Sequence, residues 1–177
     1  MERRVLLQEG ADLDGFRQAV RSLVAEGVLP GEVTFDIGGQ TGLFGDAIDP
    51  EAPPLRLPGS VAQMVGDVVP HRDPERYALL YALVWRALNG ERALLEVSSD
   101  PVVHRVEMMR KSMRRDIHKM HAFLRFRRVA GMGPERFLAW FEPDHFILEA
   151  AAPLLRGPIP GHALGDRHAA RHRVLGP

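Results

Sequence analysis

Apolar residues recur along this chain at two spacings, and the longest regular run lies in its second half. Val102, Val103, Val106, Met109, Met113, Ile117, Met120 and Leu124 follow one another at helical steps, the repeat of a helix with one buried stripe. Arg110, Lys111, Arg114, Arg115, His118, Lys119 and His121 fall on the remaining surface of the same segment. Asp100-Pro101 opens it, a capping carboxylate followed by proline at the first helical position. The pattern therefore predicts a long basic helix with an apolar back, running from Asp100 to about His121.

The rest of the chain is punctuated more closely. Arg4–Gln8 and Val33–Ile37 are short aliphatic or β-branched runs, and they predict two strands. Between them Asp12 reads as an N-cap and Gly27 as a C-cap, with Leu13, Phe16, Val20, Leu23 and Val24 at helical spacing. Residues 38–59 are rich in Gly and Pro and carry Asp46, Asp49 and Glu51; they predict a long surface loop, either a lid or an insertion. Ser60–Val69 predicts a short helix stopped by Pro70. Asp73-Pro74-Glu75 predicts another helix start, with Tyr77, Leu80, Tyr81, Val84 and Leu88 facing a core and Asn89-Gly90 ending the helix. The connection to the next helix is short, which favours antiparallel packing of the two. Phe123–Val129 and Arg136–Phe141 are aromatic-rich runs around Ala-Gly-Met-Gly-Pro, a hairpin pattern. A third helix-like stretch follows at His145–Leu155.

These elements describe an α+β fold: a helical core of two to three main helices, a C-terminal β-hairpin and short N-terminal strands. One domain is expected over residues 1–160, with a disordered tail at 161–177. At 177 residues the chain is long enough for a sizeable core.

Composition narrows the chemistry. The net charge is zero, yet residues 1–100 hold 9 Arg and no Lys against 16 acids, while residues 101–177 hold 14 basic residues against 7 acids. Such a split marks one attractive pole. There is no cysteine, which excludes disulfides, thiolate nucleophiles, iron–sulfur clusters and Cys-ligated zinc. MERRVLLQEG lacks the apolar run of a secretory signal, and no stretch approaches the ~20 apolar residues of a membrane helix. A cytoplasmic protein without a membrane partner is expected.

Three runs carry a resemblance. They are Asp73-Pro74-Glu75-Arg76-Tyr77-Ala78-Leu79-Leu80-Tyr81, then Met113 to Arg127 (MRRDIHKMHAFLRFR), then Ala139-Trp140-Phe141-Glu142-Pro143-Asp144-His145. In order and spacing they resemble an uncharacterised bacterial domain labelled a probable DNA metabolism protein. That family is encoded beside radical-SAM proteins proposed to repair or modify DNA, or is fused to X-family uracil-DNA-glycosylase-like domains. The resemblance spans about residues 3–160 and implies an accessory role in DNA repair or DNA metabolism, with DNA or such a repair enzyme as partner. It carries no reaction. Lacking cysteine, this chain cannot itself house the iron–sulfur cluster that either enzyme requires.

The resemblance stops at the C-terminus. The family continues with a strand similar to Met-Arg-Trp-x-Ile-x-Thr-Pro, whereas this chain reads Gly161-His162-Ala163-Leu164-Gly165-Asp166-Arg167-His168. Codons for those residues, read one nucleotide over, can give Gly-Met-Arg-Trp-Ala-Ile-Val-Thr-Pro. The expectation is a frameshift near Pro160, with the residues from His162 translated out of frame. An open second frame in the gene that continues the family's strand is the check.

Two constellations compete for a role. Between residues 105 and 128 nine basic residues face two acids. Arg110, Lys111, Arg114, Arg115, Lys119, Arg125 and Arg127 are the candidate nucleic-acid contacts, because guanidinium and ammonium groups displace phosphate counterions. Phe123 and Phe126 could stack on bases. The bland alternative is a solvated face, or docking onto the acidic half. His118, His121, Asp144 and His145, with Glu142, are the candidate catalytic set, and the three histidines are weak metal candidates; the competing expectation is that His121 and His145 are half-buried and pin the hairpin to the helix. Asp116 is expected to pair with a neighbouring Arg, and Met108, Met109, Met113 and Met120 to fill the core. No cofactor is expected. The leading expectation is a DNA-binding or repair-enzyme-binding accessory domain; an enzyme acting on a nucleotide or nucleic acid and a protein–protein adaptor are the alternatives.

Overall fold

A computed structural model describes residues 2–38, 46–129, 136–148 and 171–175, with only the backbone described for 129, 136, 137 and 171–175. The fold is α+β. The chain divides into two compact units, Met1–Met113 and Arg114–Pro177, and one helix runs from the first into the second.

The first unit opens with strand β1 (Arg3–Leu7), helix α1 (Leu13–Ala25) and strand β2 (Val33–Ile37). β1 and β2 pair in parallel, from Arg3↔Val33 to Leu7↔Ile37, so α1 is the crossover between them. Both ends of α1 are where the sequence places them. Asp12 Oδ1 accepts from Gly15 N at 2.9 Å and Asp12 Oδ2 accepts from Gln8 N at 2.9 Å, which ties strand to helix. Gly15 is required for this approach: a Cβ there would sit 2.2 Å from Asp12 Oδ2. At the other end Gly27 has φ +71°. Its N–H reaches Val24 O, and Val28 N–H reaches Leu23 O, the paired closure that a left-handed residue after a helix makes possible.

Helices α2 (Gly59–Val68) and α3 (Arg76–Leu88) complete the core of this unit. Phe16, Leu23, Val68, Tyr77, Leu80, Tyr81 and Leu83 are all essentially inaccessible to solvent, and each such side chain contributes about 1.5–3 kcal/mol by leaving water. Phe16, Phe35 and Tyr77 form a tilted aromatic cluster with centroids 5.2–6.2 Å apart. Tyr81 donates to Val28 O at 2.6 Å, and burial pushes its hydroxyl well above the usual tyrosine range, with Glu26 adding to the shift.

α3 starts later than the Asp73-Pro74 signal suggests. Asp73 Oδ1 accepts from Glu75 N and closes a turn ahead of the helix, which begins at Arg76. Arg76 is fully buried. It donates to Gly10 O at 2.8 Å and to Asp73 O at 3.1 Å, and its guanidinium lies 4.2 Å from the centre of the Tyr77 ring.

Helix α4 (Pro101–Phe123) begins at the expected cap. Asp100 Oδ1 accepts from Val102 N and Val103 N, while Asp100 Oδ2 holds Arg86 at 2.8 Å. Just over one turn on, Arg105 bonds Asp73 at 2.8 Å. The connector between α3 and α4 coils into a 3-10 turn at Leu94–Glu96 with Leu94 buried.

In the second unit, strands β3 (Arg127–Val129) and β4 (Arg136–Trp140) form the expected hairpin, antiparallel with Arg127↔Leu138 in register. β3 is shorter than the Phe123–Val129 run, since α4 continues to Phe123 and Leu124 N still bonds Met120 O. Strand β5 (Arg171–Leu175) pairs in parallel with β4. Met120, Leu124, Ala139 and Ile147 are buried. The hairpin turn, residues 39–45 of the long loop, most of the helix-like stretch at 145–155 and residues 161–170 of the tail lie outside the described residues.

Candidate nucleic-acid interface

The buried edge of α4 consists of Val103, Val106, Met109, Met113, Asp116 and Met120, and continues into Leu124 one residue past the helix. Periodicity places six of these correctly and misses the seventh. Asp116 takes a stripe position, 3% exposed, and accepts from His145 N at 3.0 Å; it pairs with that backbone amide where a neighbouring Arg was expected. Ile117, expected on the stripe, is half-buried. Met108 is 45% exposed and does not fill the core.

The candidate cations separate by their partners. Half-buried Arg110 is engaged by Glu107 at 2.8 Å. Lys119 bonds Asp144 at 3.1 Å. Arg125 turns back on the helix end, where its Nη1 donates to Ala122 O at 2.8 Å and Leu124 O at 3.0 Å, satisfying carbonyls that a helix C-terminus leaves open. These three are at least partly spent on the protein itself. Lys111, Arg114, Arg115 and Arg127 are exposed, and among the described residues no carboxylate engages them.

The placement of the two acids on the helix matches the difference. α4 carries two acids, Glu107 and Asp116. Arg110 takes the first and the His145 amide takes the second. Among the described residues neither forms an ion pair with Lys111, Arg114 or Arg115. With His118 these lie at i, i+3, i+4 and i+7, one helical face with about 1.5 Å of rise per residue.

The histidine set is divided. His118 and His121 are exposed on α4, so His121 is not half-buried. His145 is 8% exposed and its backbone bonds Asp116, while Asp144 bonds Lys119. The Asp144-His145 turn is thus fastened to α4 by a carboxylate and a lysine. Among the described residues no three His, Asp or Glu side chains are grouped to hold a metal ion.

Sequence reasoning overlooked one feature. Phe123 is 71% exposed, as a stacking role requires, but Leu138 is 41% and Trp140 59% exposed as well. Strand alternation carried that signal: Ala139 is buried, so its neighbours face outward.

The first unit contains a cleft of about 310 Å³ lined mainly by Phe16, Val20, Leu55, Leu57, Val65 and Val84. None of the candidate site residues lines it.

Residues 74–158 match the family described as a domain of unknown function (DUF4130), a segment that includes α3, α4, β3 and β4. No curated protein and no solved structure matches the chain.

Proposed function

We propose that this protein is an accessory domain of DNA repair or DNA metabolism that contacts nucleic acid through the exposed face of α4. One observation carries the reading: both acids of α4 are occupied, which leaves Lys111, Arg114 and Arg115 with no carboxylate partner among the described residues. Arg86, by contrast, is held by Glu91 and Asp100. Cations left in water along one helical face fit a polyanion. The repair context comes from the resemblance of the three sequence runs, and a partner enzyme of the glycosylase-like or radical-SAM type belongs to the same proposal. So does a cytoplasmic site of action; among the described residues no helix is long and apolar enough to cross a membrane.

Binding of a labelled duplex as a function of salt tests this. With Lys111, Arg114, Arg115 and Arg127 as the contacts, log K should fall against log salt with a slope of roughly −3 to −4. A charge-reversed protein (Lys111→Glu, Arg114→Glu, Arg115→Glu) should lose binding while keeping its fold. Absence of binding at low salt, or a slope near zero, refutes the reading.

A further inference from the structure

We propose that the outward face of β3 and β4 is a stacking platform for the bases of single-stranded nucleic acid; this deepens the reading above and rests on it. Leu138 and Trp140 stand two residues apart on β4, so they share one face of the sheet, and buried Ala139 between them assigns that face to the outside. Arg127 is directly opposite Leu138 across the antiparallel ladder, and opposed residues share a face. The result is an exposed indole and an exposed isobutyl group beside an exposed guanidinium. Phe123, 71% exposed, stands at the end of α4, four residues before Arg127.

The choice of occupant follows from charge and shape. β3 and β4 read Arg-Arg-Val and Arg-Phe-Leu-Ala-Trp, with no carboxylate in either. An apolar protein partner would need no such company, whereas an anionic polymer with flat faces matches both properties. Bases within a duplex are stacked on each other and present only their edges in the grooves. A tryptophan open to solvent can stack only on a base whose face is free, and that condition is met by a single strand. Any base has such a face, so little sequence preference is expected.

The test uses the full chain with a fluorescent oligothymidylate of about 15 nucleotides and a duplex of equal length. Tighter binding of the single strand is expected. Trp140→Ala should weaken it on the order of ten-fold while changing duplex affinity little, and Trp140→Phe should restore most of the loss. Equal single-strand affinity of Trp140→Ala and the parent overturns the platform and leaves the basic-helix reading standing. If neither nucleic acid binds at low salt, both readings fall. Should Trp140→Ala not fold, the Trp85→Phe protein decides the matter, because the chain has two tryptophans and Trp140 then reports alone. Quenching of its emission by unlabelled oligothymidylate supports stacking. Emission that ignores the oligonucleotide, or that changes only with protein concentration, overturns it in favour of a protein-contact surface.

Discussion

The carboxylate of Asp116, buried on the core-facing edge of a basic helix, accepts the backbone N–H of His145 at 3.0 Å. A charged acceptor is thereby committed to holding the Asp144–Ile147 turn against the last turns of α4. Asp116→Ala leaves a buried amide without its acceptor and should destabilise by about 1–3 kcal/mol. Asp116→Asn keeps an oxygen in place and should cost less. Urea unfolding of the three proteins checks the order; equal stabilities would show that the hydrogen bond does not hold the turn.

The division of cations by partner makes a second prediction. Arg114→Ala and Arg115→Ala should each weaken nucleic-acid binding and reduce the salt slope by about 1. Arg110→Ala and Lys119→Ala remove groups already held by Glu107 and Asp144, so they should do less. Anisotropy titrations at several salt concentrations separate the two pairs, and an equal loss from all four would mean that the internal ion pairs open on binding.

Asp100 supplies a pH signature. Its side-chain hydrogen bond to Arg86, followed by the Val103 amide, holds its carboxyl below the ordinary carboxylate range. A carboxyl depressed in the folded state stabilises above its unfolded pKa, and that contribution disappears as pH falls through the folded value. Asp100→Asn can still cap α4 but cannot hold the charge. The parent should therefore exceed Asp100→Asn in stability at pH 7, and the gap should close below about pH 4. Asp100→Ala loses the cap as well, a further cost of about 1 kcal/mol. A gap between parent and Asp100→Asn that is the same at both pH values contradicts this assignment.

Local signals made much of this architecture legible. Asp12, Gly27 and Asp100 act on their immediate neighbours, and all three lie at the helix ends that their chemistry indicates. Apolar spacing likewise located the buried edge of α4. What escaped depends on partners distant in sequence. The burial of Asp116 needs His145, 29 residues away, and the burial of Arg76 needs the carbonyl of Gly10, 66 residues away. A polar residue inside an apolar repeat looks like a surface residue until its partner is known. The exposure of Trp140 escaped for the opposite reason: aromatic residues in a strand are ordinarily assigned inward, and here the small Ala139 faces in.

Arg76 has a bearing on where the folding unit ends. Its guanidinium joins the start of α3 to Gly10, and Tyr77 beside it closes the ring cluster with Phe16 and Phe35. The segment shared with the family begins at residue 74, just ahead of this junction. Trimming the chain to that boundary would remove Phe16 and Phe35 from beside Tyr77 and take the Gly10 and Asp73 carbonyls away from Arg76. The recurrent portion thus borrows its foundation from the residues that precede it, and the smallest autonomous piece must reach back to β1.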